Sequence, residues 1–179
     1  MRNIFVIIAV TFLSLCSLDN QQERPLQEHT WSSEWIMAID HTDPYDSTIA
    51  APYFRNEFKI PNIVKSALAH VSGVGYFEFY LNGKKVGDHV LDPAFTRYDK
   101  RVKYLSFDIL EYITEDSNVA GGIVGNGFYN VDTKSAWEFD KAHWRSAPAF
   151  ICEIVIEYEN GEMEVIKTDE SWKQGKNID

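Results

Sequence analysis

The tightest constraint on what this chain can fold into is a two-residue alternation that runs directly into an Asn-Gly step. Phe77, Phe79 and Leu81 interleave with Tyr76, Glu78 and Tyr80; Asn82-Gly83 follows at once, and Lys84-Lys85-Val86 resumes an extended pattern. Successive side chains of a strand point to opposite faces, so this alternation gives one apolar face and one mixed face. Asn-Gly accepts positive φ at both central positions of a type I′ turn, whose twist matches that of the flanking strands. The segment therefore reads as a β-hairpin.

The same period recurs along the chain. Between Tyr53 and Ile60, Phe54, Phe58 and Ile60 fall on one face and Arg55, Glu57 and Lys59 on the other. Ala67, Ala69 and Val71 repeat it. Val102 to Phe107 reads as a strand, Ile109 to Ile113 as a helical turn, and the small apolar run Val119 to Val124 as a buried strand. A second hairpin is expected from Phe150 to Tyr158, through Glu159-Asn160-Gly161, to Met163–Lys167. No long stretch carries the helical period, and no solenoid-length repeat is present. Short strands separated by turn residues specify an all-β fold: an antiparallel β-sandwich of jelly-roll or galactose-binding-like type.

Four zones divide the chain. Residues 1–17 read as a signal peptide, because Met1-Arg2-Asn3 carries one positive charge and Ile4 to Cys16 is almost wholly apolar yet too short to span a bilayer. Leu13-Ser14-Leu15-Cys16 resembles a lipoprotein box, making Cys16 a candidate lipid anchor, although Leu15 is large for that position. Ordinary cleavage nearby is the other reading. Either implies export to the periplasm or cell surface, with the lipoprotein held on a membrane. Residues 18–30 form a polar linker, 31–173 the sandwich and 174–179 a tail. Cys152, in the run Phe150-Ile151-Cys152, reads as a buried unpaired thiol, so no disulfide framework is expected.

The 179 residues carry a formal charge of −10 spread along the chain, with no basic stripe, which excludes a nucleic-acid partner. No G-x-S-x-G elbow or phosphate loop is present; Gly73-Val74-Gly75 and Gly125-Asn126-Gly127 lack the rest of such patterns. His29, His41, His70, His89 and His143 form no metal-spaced pair, and His70 on a strand suits a packed or hydrogen-bonded role. Asp88, Asp92, Asp99, Asp108, Glu138 and Asp140 lie in or beside loops. Solvated surface is the ordinary role for such acids; hard-oxygen ligation of Ca²⁺ is the alternative, without the ordered calcium-loop spacing, and no metal ligands are assigned.

The stretch from Gly125 to Arg145 is the unusual one. Asn126, Tyr129, Trp137, Asp140, Trp144 and Arg145 are the candidate carbohydrate-binding residues, since ring faces suit the apolar patches of a sugar and amide or charged groups its hydroxyls. The competing reading is that both tryptophans pin a long loop to the sandwich.

Five blocks then carry a family likeness. Tyr53-Phe54-Arg55 with Phe58, Gly75 to Gly87, Leu91 to Arg101, Gly125-Asn126-Gly127-Phe128-Tyr129 and Thr168-Asp169-Glu170-Ser171-Trp172-Lys173 stand in the order found in the N-terminal domain of bacterial α-L-rhamnosidases. The chain resembles that domain over roughly residues 31 to 173. It departs from the pattern at Phe128, where the family usually has Trp. The resemblance implies an accessory sandwich that recognises rhamnose-containing glycans and packs against downstream catalytic domains of a parent enzyme. The family's sequences run on into an (α/α)₆ barrel that supplies the two carboxylates of an inverting hydrolysis, so no catalytic residue is assigned to this chain. A free-standing lectin-like module and the jelly-roll domain of a β-galactosidase-like enzyme are the alternatives.

Overall fold

A computed structural model of the chain describes residues 29–38, 43, 45, 50–134 and 136–175. The export segment with Cys16, all of the linker before residue 29 and the tail after residue 175 lie outside the described residues. The described strands are β1 (Ile36–Met37), β2 (Tyr53–Lys59), β3 (Val64–Val74), β4 (Tyr76–Leu81), β5 (Lys84–Lys85), β6 (Leu105–Asp108), β7 (Ser117–Gly125), β8 (Ala149–Tyr158), β9 (Met163–Lys167) and β10 (Lys173–Gly175). The only helical pieces among them are 3-10 turns at Leu110–Tyr112 and Phe139–Lys141.

The strands form two antiparallel sheets. In the first, β6, β3 and β8 lie side by side, and β1 and β9 share the far edge of β8, β1 opposite Ala149–Phe150 and β9 opposite Glu153–Glu157. The second has the order β10-β2-β7-β4-β5. The fold is thus the expected antiparallel sandwich, and both hairpins are present, β4–β5 and β8–β9. At the first hairpin Asn82 and Gly83 have φ of 52° and 77°, as a type I′ turn needs.

Alternation decides what is buried. Phe54, Phe77, Phe79, Leu81 and Val124 point inward from the second sheet; Ala67, Ala69, Val71, Phe150, Ile154 and Ile156 meet them from the first. Each large apolar side chain so buried contributes about 1.5–3 kcal/mol. Phe150 stands at the centre, its ring stacked on Phe54 at 6.2 Å and tilted against Phe77 at 6.3 Å and Trp172 at 5.9 Å.

On β8 the outward-facing Ile151 and Glu153 are buried as well. Residues 32–34 run over this part of the sheet: the Ser32 amide and hydroxyl donate to the Glu153 carboxylate at 2.8 and 2.7 Å, and the Ser33 hydroxyl donates to the Cys152 carbonyl. Thr168, fully buried, closes the seam between β9 and β1. Its hydroxyl donates to the Glu34 carbonyl at 2.6 Å and accepts the Cys152 amide, while its own carbonyl accepts the Glu34 amide. Cys152 is buried and unpaired, and burial pushes its thiol up. His70 is hydrogen-bonded through Nδ1 to the Ser106 hydroxyl at 2.7 Å.

Two boundaries differ from the sequence pattern. The strand expected from Val102 begins at Leu105, because Thr96 and Ser72 hold the Arg101 and Lys103 carbonyls in loop conformation instead. β10 has no alternating apolar side chains to announce it; its pairing with Arg55, Phe54 and Tyr53 of β2 defines it.

Candidate functional site

The unusual loop after β7 is anchored by close backbone packing. A Cβ on Gly75 would stand 2.0 Å from the Gly125 carbonyl oxygen, and one on Gly127 would stand 3.1 Å from both Gly75 and the Tyr76 ring. Gly75 and Gly127 also have φ of 118° and 52°, which glycine alone adopts freely. The Gly-Asn-Gly step therefore exists to bring the end of β7 against the β3–β4 turn. The Asn126 carbonyl then accepts the amides of Tyr129 and Asn130, turning the chain away from the sheet.

Beyond that turn the aromatic rings gather at one end of the sandwich. Phe95 lies 5.7 Å from Phe128, 5.3 Å from Phe139 and 5.5 Å from Tyr98. Tyr98 packs edge-on against Tyr129 at 5.1 Å and reaches Trp144 at 6.5 Å, and His143 lies 5.2 Å from Trp144. Tyr76, on β4, meets Phe128 at 6.1 Å. Apart from Tyr76, the rings come from two distant segments: the connection between β5 and β6, and the loop between β7 and β8. Charge ties the same segments together. Arg97 forks onto both carboxylate oxygens of Asp99 at 3.0 and 2.7 Å, and His143 Nε2 lies 3.4 Å from Asp99. The Arg97 hydrogen bonds, with lesser help from His143, hold the Asp99 carboxyl below the usual carboxylate range.

Burial raises the phenols. Tyr98 is pushed up to about 12, by desolvation first and then by the neighbouring Tyr76 and Tyr129 hydroxyls. Tyr129 is raised by burial, offset in part by a hydrogen bond with Ser146. Among the described residues, three buried polar atoms of this end lack a hydrogen-bond partner: Tyr98 Oη, Asp140 Oδ1 and Trp144 Nε1. Each such atom costs about 1–3 kcal/mol if left unsatisfied.

The six sequence-derived residues separate here. Tyr129, Asp140 and Trp144 belong to the cluster or its polar rim. Asn126 shapes the turn, its Oδ1 accepting from the Asn130 amide group at 3.2 Å. Arg145 donates to Asn130 Oδ1 at 2.9 Å and to the Tyr45 carbonyl, and its guanidinium lies 5.6 Å from the Tyr45 ring centre, so it holds the loop's base. Trp137 is 79% exposed and stacks on none of the described rings. Phe95 and Tyr98 were not among the sequence candidates, and Asp99 was weighed only as a loop acid, not as a carbohydrate-binding residue. Their signal was their place in the Leu91–Arg101 block, but spacing alone could not bring that block beside residue 144. As for metal, no group of three or more His, Cys, Asp or Glu side chains is arranged to hold an ion among the described residues. Asp99 is engaged by Arg97 and His143, and Asp92 by His89.

Fold and loops together define a galactose-binding-like β-sandwich domain with its polar and aromatic chemistry concentrated at one end. The family model for the α-L-rhamnosidase N-terminal domain matches residues 62–177. An α-L-rhamnosidase of Formosa agariphila is 41% identical over 127 residues, covering 70% of this chain and 13% of that protein. The chain belongs to the α-L-rhamnosidase family, as its N-terminal domain. Among solved structures, the α-L-rhamnosidase of Dictyoglumus thermophilum aligns with a TM-score of 0.63 at 38% identity, over 71% of this chain and 13% of that one. That of Streptomyces avermitilis, solved with L-rhamnose, aligns with a TM-score of 0.64 at 28% identity over 71% and 12%. The chain spans 13–16% of the length of the curated relatives it matches.

Proposed function

We propose that this domain is a carbohydrate-recognition module of an α-L-rhamnosidase, binding rhamnose-containing glycans at its loop end. The observation that carries the reading is the ring cluster at the loop end, where Phe95 and Phe128 remain 41% and 45% exposed beside Tyr98, Phe139 and the Arg97–Asp99–His143 charges. Rings offer faces to the apolar side of a pyranose, and a donor–acceptor mix beside them suits its hydroxyls. A relative solved with L-rhamnose supports the choice of sugar. Titration calorimetry with L-rhamnose and rhamnosylated oligosaccharides tests it. Binding in the folded wild type, lost in Trp144→Ala with the melting transition retained, is the expected result; no heat at millimolar sugar refutes it.

A second role, packing against further domains of the parent enzyme, is favoured by an apolar row on the outer face of the first sheet. There Leu68, Val155 and Val165 lie directly abreast across β3, β8 and β9, and Leu68 and Val165 are exposed. Export to the periplasm or cell surface is part of the same proposal and rests on the apolar stretch Ile4 to Cys16 alone.

A further inference from the structure

The outer face of the second sheet carries a feature the loop-end reading does not use. Lys173, Arg55, Gly121, Tyr80 and Lys85 lie directly abreast on β10, β2, β7, β4 and β5. Long side chains flank a glycine, so the middle of the sheet is dished. The resulting trough, about 450 Å³, is lined chiefly by Tyr53, Arg55, Tyr80, Val119, Gly121 and Ile123.

Its walls are held in place. The Tyr80 hydroxyl donates to Glu78 Oε2 at 2.6 Å, and Lys85 donates to Oε1 of the same carboxylate at 2.7 Å. Arg55 is paired with Glu57 on its own strand face. Arg55, the cation that lines the trough, is thus paired with a carboxylate, as is Lys85 on the β5 side, while Lys173 on the β10 side lies outside the lining; the trough itself suits a neutral ligand. Two phenol rings, two aliphatic side chains and polar groups fixed at the edges are the composition of a saccharide subsite.

The trough is also continuous with the loop end. Tyr80, Glu78 and Tyr76 share the outer face of β4, and Tyr76 packs on Phe128 of the ring cluster. From Gly121 to Asn126 the chain climbs about 16 Å at the usual rise of a strand, the reach of a short oligosaccharide. We propose that the trough over Gly121 is a second saccharide subsite, taking interior neutral pyranose units of a glycan whose terminal sugar occupies the loop end. The position of the terminal sugar rests on the function proposed above; the trough itself does not.

The experiment compares L-rhamnose with a rhamnose-terminated tetrasaccharide of neutral sugars, by calorimetry and by amide chemical shifts on the full chain. The tetrasaccharide should bind at least tenfold tighter than L-rhamnose. That gain should vanish in Gly121→Val and in Tyr53→Ala, with L-rhamnose affinity unchanged. The valine fills the trough without forcing the backbone, since a Cβ at Gly121 meets its nearest neighbours at 3.6 and 3.8 Å and branched side chains suit a strand. Equal affinity for both sugars in the wild type, or a gain that survives both substitutions, overturns the proposal and leaves the loop-end reading intact. If L-rhamnose does not bind, the loop-end reading fails. The trough then stands on tetrasaccharide-induced shifts of the Gly121 and Ile123 amides that Gly121→Val abolishes, and falls if there are none.

Discussion

Gly122→Ala isolates the contact on which the two sheets close. A Cβ at this position would lie 2.5, 2.6 and 2.8 Å from Cζ, Cε1 and Cε2 of Phe150. Carbon atoms in good contact sit about 3.5–4.0 Å apart, so one methyl overlaps three ring atoms by about 1 Å. The ring has no room to retreat, being fully buried and bounded by Phe54, Phe77 and Trp172. Overpacking of this kind costs about 1–3 kcal/mol, and three simultaneous clashes place it near 3. Replacing a strand glycine with alanine returns about 0.5–1 kcal/mol of backbone entropy, leaving a net loss of about 2 kcal/mol. At about 4 °C per kcal/mol for a domain of this size, Tm should fall by about 8 °C. Urea melts should show a lower midpoint with an unchanged slope. The double variant with Phe150→Leu is the sharper measurement. Leucine lacks the ring atoms that clash, so the two changes together should cost about 1.5 kcal/mol less than their sum. A Gly122→Ala protein within 0.5 kcal/mol of wild type, or strict additivity with Phe150→Leu, refutes the reasoning.

Thr168→Val keeps the shape of the buried side chain but removes the hydroxyl shared by Glu34 and Cys152. It should cost about 2 kcal/mol, since two buried backbone groups lose a partner, and hydrogen exchange should show the Glu34 amide losing protection before the core strands do. Tyr98 should titrate near 12 in an ultraviolet difference spectrum, and Tyr98→Phe should remove that step. The fold favours the neutral phenol, so its stabilisation is complete below the ordinary tyrosine value of about 10 and is lost as pH rises through about 12. Alkaline melts of wild type and Tyr98→Phe should therefore differ in slope above pH 10.

The strands were legible because a buried face writes itself into the chain every second residue. Phe54, Phe77, Phe79 and Leu81 could each be assigned inward without a structure, and a one-residue slip would have put them all in water. The Asn82-Gly83 turn was legible for its backbone angles but not for its reach. Asn82 also donates to the Tyr112 carbonyl and to Asn118 Oδ1 and accepts the Val119 amide, pinning the hairpin to the start of β7. Those partners lie 30 or more residues away, and local pattern has no term for them. The order of strands was hidden for the same reason: β7 lies between β2 and β4, and β3 beside β8, through pairings that no short turn dictates.

The loop end shows where legibility stops. Its aromatic residues were visible as an excess of Trp, Tyr and Phe after Gly125, but composition cannot tell a ring that belongs to a cluster from one that points into solvent. Trp144 packs beside Tyr98, whereas Trp137, seven residues earlier, stands exposed. What separates them is Gly75 lying against Gly125 and Gly127, because that contact fixes the direction in which residues 126–130 leave the sheet. Only along that path can a loop from β7 meet Phe95 and Tyr98, rings from a segment some thirty residues upstream of it. Gly73, Gly75, Gly125 and Gly127 fit no phosphate-loop pattern. The function of the last three is steric: they give up side chains so that two backbones can touch, and the touching backbones assemble the rings.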